Sequence, residues 1–411
     1  MLKNIKVIIE RYLSNIVTYN LNIHNRRDFT IWVFGEWFGR KCSDNTLIFA
    51  NYVAHQNNNY KLYWISDKNC KLNLLDSSIK VIEKDSIEAK RILKKAGVAV
   101  MNQGYDDFSS IGNNYLGNAI TVNLWHGIMW KKIGFDVYDE RKLRAKIYIN
   151  TIKKTKNYKL FEAPSDVYAQ CFQKAFRLSE AKAINAGLPR NEIFFDDMAV
   201  KCARNKVLKY LKSQNSSKVN NETVIITYLP TFRDKQTGVF SFDEINDKSL
   251  FDYIKEKNVV ILQKLHEVNV KRGEKYGEKN SENIFCVQNF PTQELLAATD
   301  ILITDYSSCF FDFLLLDRKI IFYLYDYEYY SNKDRGLYYP KEEIVCGPVA
   351  FNEKELINAI KESVENDRYS NARKRVRKKY LSYESKNNCK IIYNAINTML
   401  QNRLSGENKI I

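Results

Sequence analysis

The chain has 411 residues, which is long enough for two domains. Its composition, 45% hydrophobic with only 6 Pro and 15 Gly, excludes a chain dominated by disorder, and its apolar runs are all shorter than the about 18 residues of a membrane-spanning helix. The net charge of +16 favours an anionic partner, and charge alone leaves phosphate-bearing substrates, anionic lipid and nucleic acid equally open.

The first half of the chain alternates predicted strands and helices. Short runs rich in β-branched or aromatic residues predict strands over 30–34, 61–65, 79–82, 98–101, 121–124, 161–164 and 183–186. Helices are predicted between them, for example over 86–96, where apolar residues recur on one face, and over 166–176. This alternation is typical of a parallel sheet covered by helices on both sides.

The second half repeats the pattern after a polar segment at 212–222, which is predicted to be a linker. Strands are predicted over 223–228, 259–263, 284–287, 301–304 and 320–323, and one or two basic helices over about 370–404. We therefore predict an α/β protein with two Rossmann-like, doubly wound domains at 1–215 and 216–370, and C-terminal helices at 371–411 that pack across them. In such folds ligands bind in a cleft at the carboxyl ends of the strands.

One histidine stands where a strand should end. His126 follows the predicted strand 121–124 and precedes Gly127, whose small size permits a sharp turn toward the cleft. Because histidine titrates near neutral pH, an imidazole in this position can take a proton from an attacking hydroxyl. A core histidine packed beside Trp125 is the alternative interpretation.

A second histidine closes another strand. Lys264 and His266 alternate with apolar residues at the end of strand 259–263, so both side chains should point to one face. A lysine and a histidine side by side suit a phosphate group, whereas a solvated strand end with incidental charge is the simpler interpretation of these two residues alone.

A serine-rich turn follows the strand 301–304. Ser307 and Ser308 stand where they would cap the next helix, and the backbone N–H groups of such a turn can bind phosphate. Asp305 and Asp312 flank the turn and can accept hydrogen bonds from hydroxyl or amide groups. Plain capping of a buried helix is the simpler interpretation.

An arginine follows the first strand of the second half. Arg233 comes after Pro230, and its guanidinium could clamp a diphosphate with two hydrogen bonds, unless it is an isolated surface arginine. The chain has no P-loop motif, no G-x-G-x-x-G and no G-x-S-x-G. It also has no C-x-x-C pair among its 8 cysteines and no cysteine–histidine cluster with zinc spacing, so we expect reduced thiols and no metal site.

Several short blocks, in order along the chain, resemble the CDP-glycerol glycerophosphotransferase family of teichoic-acid and capsule synthesis. The resemblance runs from about Gly35 to the region near Leu356. The blocks are Ser43–Asn45, Trp125–Gly127 with Lys131, Lys132, Gly134 and Asp136, Gly187–Asn191, Pro230–Arg233, Lys264–His266, Ile303–Phe313, Phe322–Asp326, Arg335–Gly336 and Gly347–Pro348. The His-Gly and Asp-Tyr-Ser-Ser blocks are specific as a pair.

The resemblance implies a GT-B-like fold, with His126 as the base for the acceptor hydroxyl and His266 as a second catalytic residue. It implies a donor-binding set made of Arg233, Lys264, His266, Thr304, Asp305, Tyr306, Ser307, Ser308 and Asp312. Gly127, Lys131 and Lys132 are expected on the acceptor side.

The implied reaction moves a polyol phosphate, glycerol phosphate before ribitol phosphate, from CDP-glycerol or CDP-ribitol to a hydroxyl of a lipid-linked polymer. CMP leaves, and no tightly bound cofactor and no nucleic acid are expected. A GT-B glycosyltransferase or a nucleotide-sugar epimerase is an alternative with the same architecture, and release of CMP rather than UDP separates them. A non-catalytic basic protein that binds membrane or nucleic acid is the third hypothesis, and it needs only a basic face.

The basic tail suggests where the protein works. Six of the seven residues at 373–379 are Lys or Arg, and so dense a positive charge gains from an anionic lipid surface. We therefore expect peripheral binding at the cytoplasmic face of the plasma membrane.

Overall fold

The structure is a computed structural model, and it describes residues 13–56, 59–110, 114–137, 158–214, 219–231, 240–264, 283–331 and 336–406. The chain forms two compact units. The first contains Met1–His126, Gly134–Glu192 and Tyr383–Ile411, and the second contains Gly127–Ile133 and Ile193–Ser382. Each unit is built on one parallel sheet.

The first unit holds a seven-stranded sheet in the order β3-β2-β1-β4-β5-β6-β7. Its strands are β1 (Asp28–Phe34), β2 (Lys61–Ser66), β3 (Lys80–Glu83), β4 (Ala96–Met101), β5 (Ile120–Asn123), β6 (Leu160–Ala163) and β7 (Lys182–Asn185). Its helices include α1 (Asn45–Ala54), α2 (Ile87–Lys95) and α3 (Asp166–Phe176).

The second unit holds a six-stranded sheet in the order β10-β9-β8-β11-β12-β13. Its strands are β8 (Val224–Leu229), β9 (Val259–Gln263), β10 (Ile284–Cys286), β11 (Ile301–Thr304), β12 (Lys319–Tyr323) and β13 (Val349–Ala350). Its described helices are α4 (Asp197–Ser213), α5 (Lys248–Glu256), α6 (Thr292–Ala298), α7 (Cys309–Phe313), α8 (Tyr327–Tyr329), α9 (Lys341–Ile344), α10 (Glu353–Glu365) and α11 (Ser370–Tyr380). Both sheets reverse strand order beside their first strand, as Rossmann-like sheets do.

The local sequence explains the helices. In α2, Ser86 precedes the helix and its hydroxyl accepts a hydrogen bond from the amide of Ala89 at 3.0 Å, while Ile92 and Leu93 face the core. The α1 helix begins in the same way, because the Asp44 carboxylate accepts from the amide of Asn45 at 2.8 Å. Capping residues therefore set where these crossover helices begin.

The last helix, α12 (Asn388–Leu404), belongs to the first unit although it is last along the chain. Cys389, Ile392, Ile396 and Leu400 lie in the same core cluster as strands β1, β4 and β5. The helix is tied to the loop after β7, where Asn388 accepts from the amide of Gly187 at 3.1 Å. A β-carbon at Gly187 would stand 2.0 Å from a carboxylate oxygen of Glu384, so a larger residue would displace that side chain.

The compact units divide the chain at other positions than the predicted domain limits at residues 215 and 370. The main part of the second unit begins at Ile193, because α4 packs against α6 of that unit. Of the predicted tail, α11 belongs to the second unit and α12 to the first. The predicted strands all occur, with ends shifted by two residues or fewer, whereas the two-residue strand β13 was not predicted.

Within the described residues, no helix combines the length and apolar character needed to cross a membrane.

Candidate active site

His126 lies on a bent segment that follows β5 in the first unit. Trp125 has a φ of 38° and Gly127 a φ of 142°, so the backbone on both sides of the histidine is in the left-handed region. The side-chain amide of Asn45 donates to the carbonyl oxygens of Leu124 at 3.0 Å and Trp125 at 3.1 Å. These bonds stabilise a backbone conformation that is costly for a tryptophan. They also fix the position of the backbone that carries the His126 side chain.

Arg190 holds the same segment from the loop after β7. One guanidinium nitrogen donates to the Asp44 carboxylate at 2.8 Å and to the carbonyl oxygen of His126 at 3.0 Å. The Arg190 amide donates to Asn45 at 3.1 Å. The side chains of Arg190 and Asp44 are only 12% and 7% exposed, so this is a buried ion pair directly behind the histidine.

The His126 ring lies between two tryptophans and is half-buried. Its centroid is 4.2 Å from the Trp125 ring and 5.1 Å from the Trp37 ring. The side-chain amide of Gln103 lies 3.1 Å from Nδ1. Because an amide can donate or accept, this contact suits either tautomer of the imidazole.

A second carboxylic acid lies next to Asp44. Burial and the nearby Asp44 raise the pKa of Glu36 well above its usual value. Burial alone would raise the pKa of Asp44 as well, but Arg190 and His126 outweigh it and bring the pKa below its usual value. Asp44 is therefore the anion of the pair.

In the second unit, buried side chains fix the turn that follows β11. Both oxygens of Asp305 accept from the amide of Thr231, at 2.9 and 3.1 Å, and the Thr304 hydroxyl donates to the carbonyl of Leu229 at 3.0 Å. Thr304 and Asp305 are fully buried. The structure thus uses both residues to tie the loop after β8 to the turn after β11.

The predicted helix caps are only partly correct. Ser308 occupies the first capping position of α7, but its side chain makes no capping hydrogen bond and its backbone is already helical. The Ser307 hydroxyl lies 3.5 Å from the amide of Cys309, which is a long contact. The capping prediction is therefore wrong for Ser308, because the chain enters α7 through helical rather than extended backbone. Both serines are partly exposed.

Tyr306 and Asp312 are structural in their contacts. The Tyr306 hydroxyl donates to Asp326 at 3.1 Å, and its ring stacks on Tyr330 with centroids 3.8 Å apart. Asp312 is 1% exposed and accepts from the Gln293 side chain at 3.2 Å. These contacts stabilise the chain on both sides of the serine turn.

The segment after Gly127 belongs to the second unit. Trp130 packs 5.9 Å from the Tyr306 ring, and its indole N–H donates to the carbonyl of Tyr339 at 2.9 Å. Lys131 pairs with Leu337 in an antiparallel bridge, and the Lys132 amide donates to Gly336 at 3.0 Å. The lysines predicted on the acceptor side thus share a unit with the serine turn.

Lys264 follows β9, and its ammonium donates to the carbonyl oxygen of Phe290. Arg233 and His266 lie outside the described residues. Among the described residues, no group of three or more His, Cys, Asp or Glu side chains is placed to hold a metal ion.

Comparison with known proteins decides the family. The family described as CDP-glycerol:poly(glycerophosphate) glycerophosphotransferase matches residues 17–398. The chain belongs to this family. Its resemblance to the family, expected from the sequence blocks, is thereby confirmed, and the protein is a transferase.

Individual relatives agree with this assignment. The teichoic acid glycerol-phosphate transferase of Staphylococcus aureus (strain NCTC 8325 / PS 47) is 26% identical over 93% of this chain and 96% of its own length. The teichoic acid poly(glycerol phosphate) polymerase of Bacillus subtilis (strain 168) is 26% identical over 80% of this chain but only 43% of its own length. The solved structure of the wall teichoic acid polymerase TagF has a TM-score of 0.75 at 20% identity and covers 98% of this chain and 99% of that one. The GT-B-like fold is thus confirmed.

Several residues around the histidine of this glycerophosphotransferase were not predicted as site residues, among them Arg190, Trp37 and Gln103. Arg190 lies in the Gly187–Asn191 block that carries the family resemblance, so the sequence held a signal for it. Trp37 and Gln103 lie outside every such block and reach His126 only through the turns after β1 and β4. Only the folded chain brings them to the imidazole.

Proposed function

We propose that this glycerophosphotransferase moves glycerol phosphate from CDP-glycerol to a terminal hydroxyl of a lipid-linked, cell-envelope polymer. The observation that supports this most is the half-buried His126, held by Asn45 and Arg190 with an anionic carboxylate behind it. Such an imidazole can accept a proton, and the surrounding hydrogen bonds keep it in position for the reaction.

The proposed step is a displacement at phosphorus. The acceptor oxygen bonds to the phosphorus that carries glycerol, and the bond from that phosphorus to the bridging oxygen breaks. CMP leaves with the bridging oxygen, and the hydroxyl proton passes to the imidazole of His126. The carboxylate of Asp44, held by Arg190, stabilises the positive charge that then forms on the ring.

We propose that the donor diphosphate binds to the second unit. The partly exposed Ser307–Ser308 turn offers hydroxyl and amide donors, and Arg233, Lys264 and His266 would add positive charge. In this proposal Thr304, Asp305, Tyr306 and Asp312 shape the turn, since their side chains are buried. His266 then acts on the donor side of the reaction.

Substrate analysis tests the function. The purified protein is incubated with an acceptor analogue and, in turn, CDP-glycerol, CDP-ribitol and a UDP-sugar, and the released nucleotide is measured. We expect acceptor-dependent release of CMP, fastest with CDP-glycerol. Release of UDP from the sugar nucleotide would instead support a glycosyltransferase or epimerase, and no release from any donor would support the non-catalytic hypothesis.

The donor site makes a separate prediction. Arg233→Ala and His266→Ala should each weaken CDP-glycerol binding by about 10-fold or more, because each removes a charge-assisted hydrogen bond, and Ser307→Ala by about 2- to 10-fold. Calorimetry with CDP-glycerol measures these affinities. Arg368→Ala and Ser78→Ala are matched controls, since the Arg368 side chain is 73% exposed and the Ser78 hydroxyl only bonds Asp76. Unchanged affinity in all three site variants would place the donor elsewhere.

The basic helix α11 supports the proposal of a membrane surface, with one correction from the structure. Arg373 is 2% exposed and bonds Asp317 at 3.1 Å and Asp367 at 2.7 Å, so it stabilises the second unit and is not available to lipid. Lys379 is paired with Glu343. The exposed cations that remain are Lys374, Arg375 and Lys378.

Replacing Lys374, Arg375 and Lys378 together by Gln should weaken binding to anionic vesicles by about 100-fold, since each cation near such a surface contributes about 1 kcal/mol. Turnover of a soluble acceptor analogue should stay the same. Co-sedimentation with anionic and neutral vesicles measures the effect. The triple variant of Arg91, Lys94 and Lys95 removes the same charge from exposed positions around α2 and is the control. Equal losses in both variants would mean that net charge alone, not α11, governs binding.

A further inference from the structure

A strained turn lies beside His126 on the first unit. Trp37, Phe38 and Gly39 follow β1 with φ values of 47°, 59° and 77°, and two of these three residues are bulky aromatics. Left-handed backbone is costly for such side chains and persists only where the surroundings impose it. Here the Trp37 amide donates to Asn102 at 2.9 Å, and the Phe38 amide donates to Asp107 at 2.7 Å.

The two aromatic rings of the turn lie in different surroundings. The Trp37 indole donates to Asp44 at 2.8 Å, which holds its ring 5.1 Å from the imidazole of His126. Phe38 is 39% exposed. The turn therefore holds the Trp37 ring against the imidazole and leaves the Phe38 ring partly exposed.

A cation extends this arrangement. The Lys41 ammonium lies 4.6 Å from the centroid of the Trp37 ring. Because the centroids of the Trp37 and His126 rings are 5.1 Å apart, the ammonium lies within about 10 Å of the imidazole. One glycerol phosphate unit has three carbon atoms between its terminal hydroxyl and its phosphate, so a single unit can lie between these two groups.

We propose that Lys41 and the Trp37 ring form an acceptor subsite, which binds the phosphodiester nearest to the reacting hydroxyl. The proposal rests on the proposed function, in which His126 takes the proton of that hydroxyl. The ammonium binds the phosphate, and the apolar face of the indole contacts the carbon atoms of the terminal glycerol. An acceptor that ends in a glycerol phosphate unit satisfies both contacts, whereas an acceptor that ends in a neutral sugar satisfies only one.

The test compares two acceptors. Lys41→Gln should raise the KM for an acceptor analogue ending in glycerol phosphate by about 10-fold or more, because a charge-assisted contact is lost. The KM for CDP-glycerol and the KM for an acceptor ending in a neutral sugar should not change. Lys41→Arg should keep the KM for the glycerol phosphate analogue close to that of the parent protein. Lys361→Gln is the matched control, since Lys361 lies 5.7 Å from the Tyr253 ring in the second unit.

Direct binding separates this proposal from the proposed function. Calorimetry without CDP-glycerol measures the affinity of a short glycerol phosphate oligomer for the parent and for Lys41→Gln. A parent that binds the oligomer, and a variant that binds it about 10-fold more weakly, support the subsite even if no CMP is released. Equal affinities, or a rise in the KM for CDP-glycerol alone, would overturn it.

Discussion

His126→Ala is expected to lower kcat by 10²- to 10⁴-fold, the contribution of general-base catalysis. The affinity for CDP-glycerol should stay the same, because no donor contact is assigned to this side chain. Folding should also persist, since the half-buried ring adds little to the core. Turnover of CDP-glycerol with a saturating acceptor analogue measures the effect.

His55→Ala is the control for this variant, because its side chain is 71% exposed and it lies in the same unit. It should turn over like the parent protein. If His126→Ala also did so, another group would have to take the proton, and the role of the Asn45 and Arg190 contacts would be to stabilise the fold alone.

Arg190→Met is expected to have the second large effect, a loss of about 3–5 kcal/mol in the free energy of unfolding. The variant leaves the carboxylate of Asp44 buried without its guanidinium partner, and it removes the bond to the carbonyl of His126. Denaturant unfolding measures the stability, and kcat should fall as well because the imidazole is less firmly placed. Arg177→Met is the matched control, since its pair with Asp136 has side chains 27% and 14% exposed and should contribute less.

The same variant has a defined dependence on pH. Despite its burial, the pKa of Asp44 lies below its usual value in the folded protein, because of Arg190 and His126. Its stabilising contribution is therefore full above the ordinary carboxyl pKa of about 3.9 and is lost as the pH falls through the folded value. The stability difference between the parent and Arg190→Met should shrink on acidification. A double variant with Asp44→Asn should regain part of the stability but not the rate, and a double variant as active as the parent would contradict the positioning role.

The sheets were predictable from the sequence because each central strand is a short, buried, apolar run bounded by polar segments. Strand β9, Val259–Gln263, is the clearest example, and its predicted and observed ends coincide. Strand β13 was missed because two residues, Val349 and Ala350, carry no periodic signal. Its existence depends on β12, with which it pairs.

The candidate site also contains residues that the local sequence predicts and residues that it does not. His126 was predictable because a histidine before a glycine at a strand end is a local pattern, and Gly127 indeed has a positive φ. The contacts of Arg190 are not local, since its partner Asp44 is 146 positions away along the chain. The buried state of Arg373 was equally hidden, because its position within a run of cations suggests solvent exposure and only the folded chain brings Asp317 and Asp367 to it.

Helix α12 has a consequence for synthesis of the protein on the ribosome. The first unit lacks its last core helix until the growing chain reaches Leu404. The second unit includes the early segment Gly127–Ile133 and is complete when the chain reaches Ser382. At roughly 5–20 residues per second, the interval between Glu192 and the end of α12 is roughly 10–40 s. During this time the core cluster that contains β1, β4 and β5 is covered by α1 but still lacks Ile392, Ile396 and Leu400 of α12. The N-terminal unit, although it is synthesised first, therefore completes its core last.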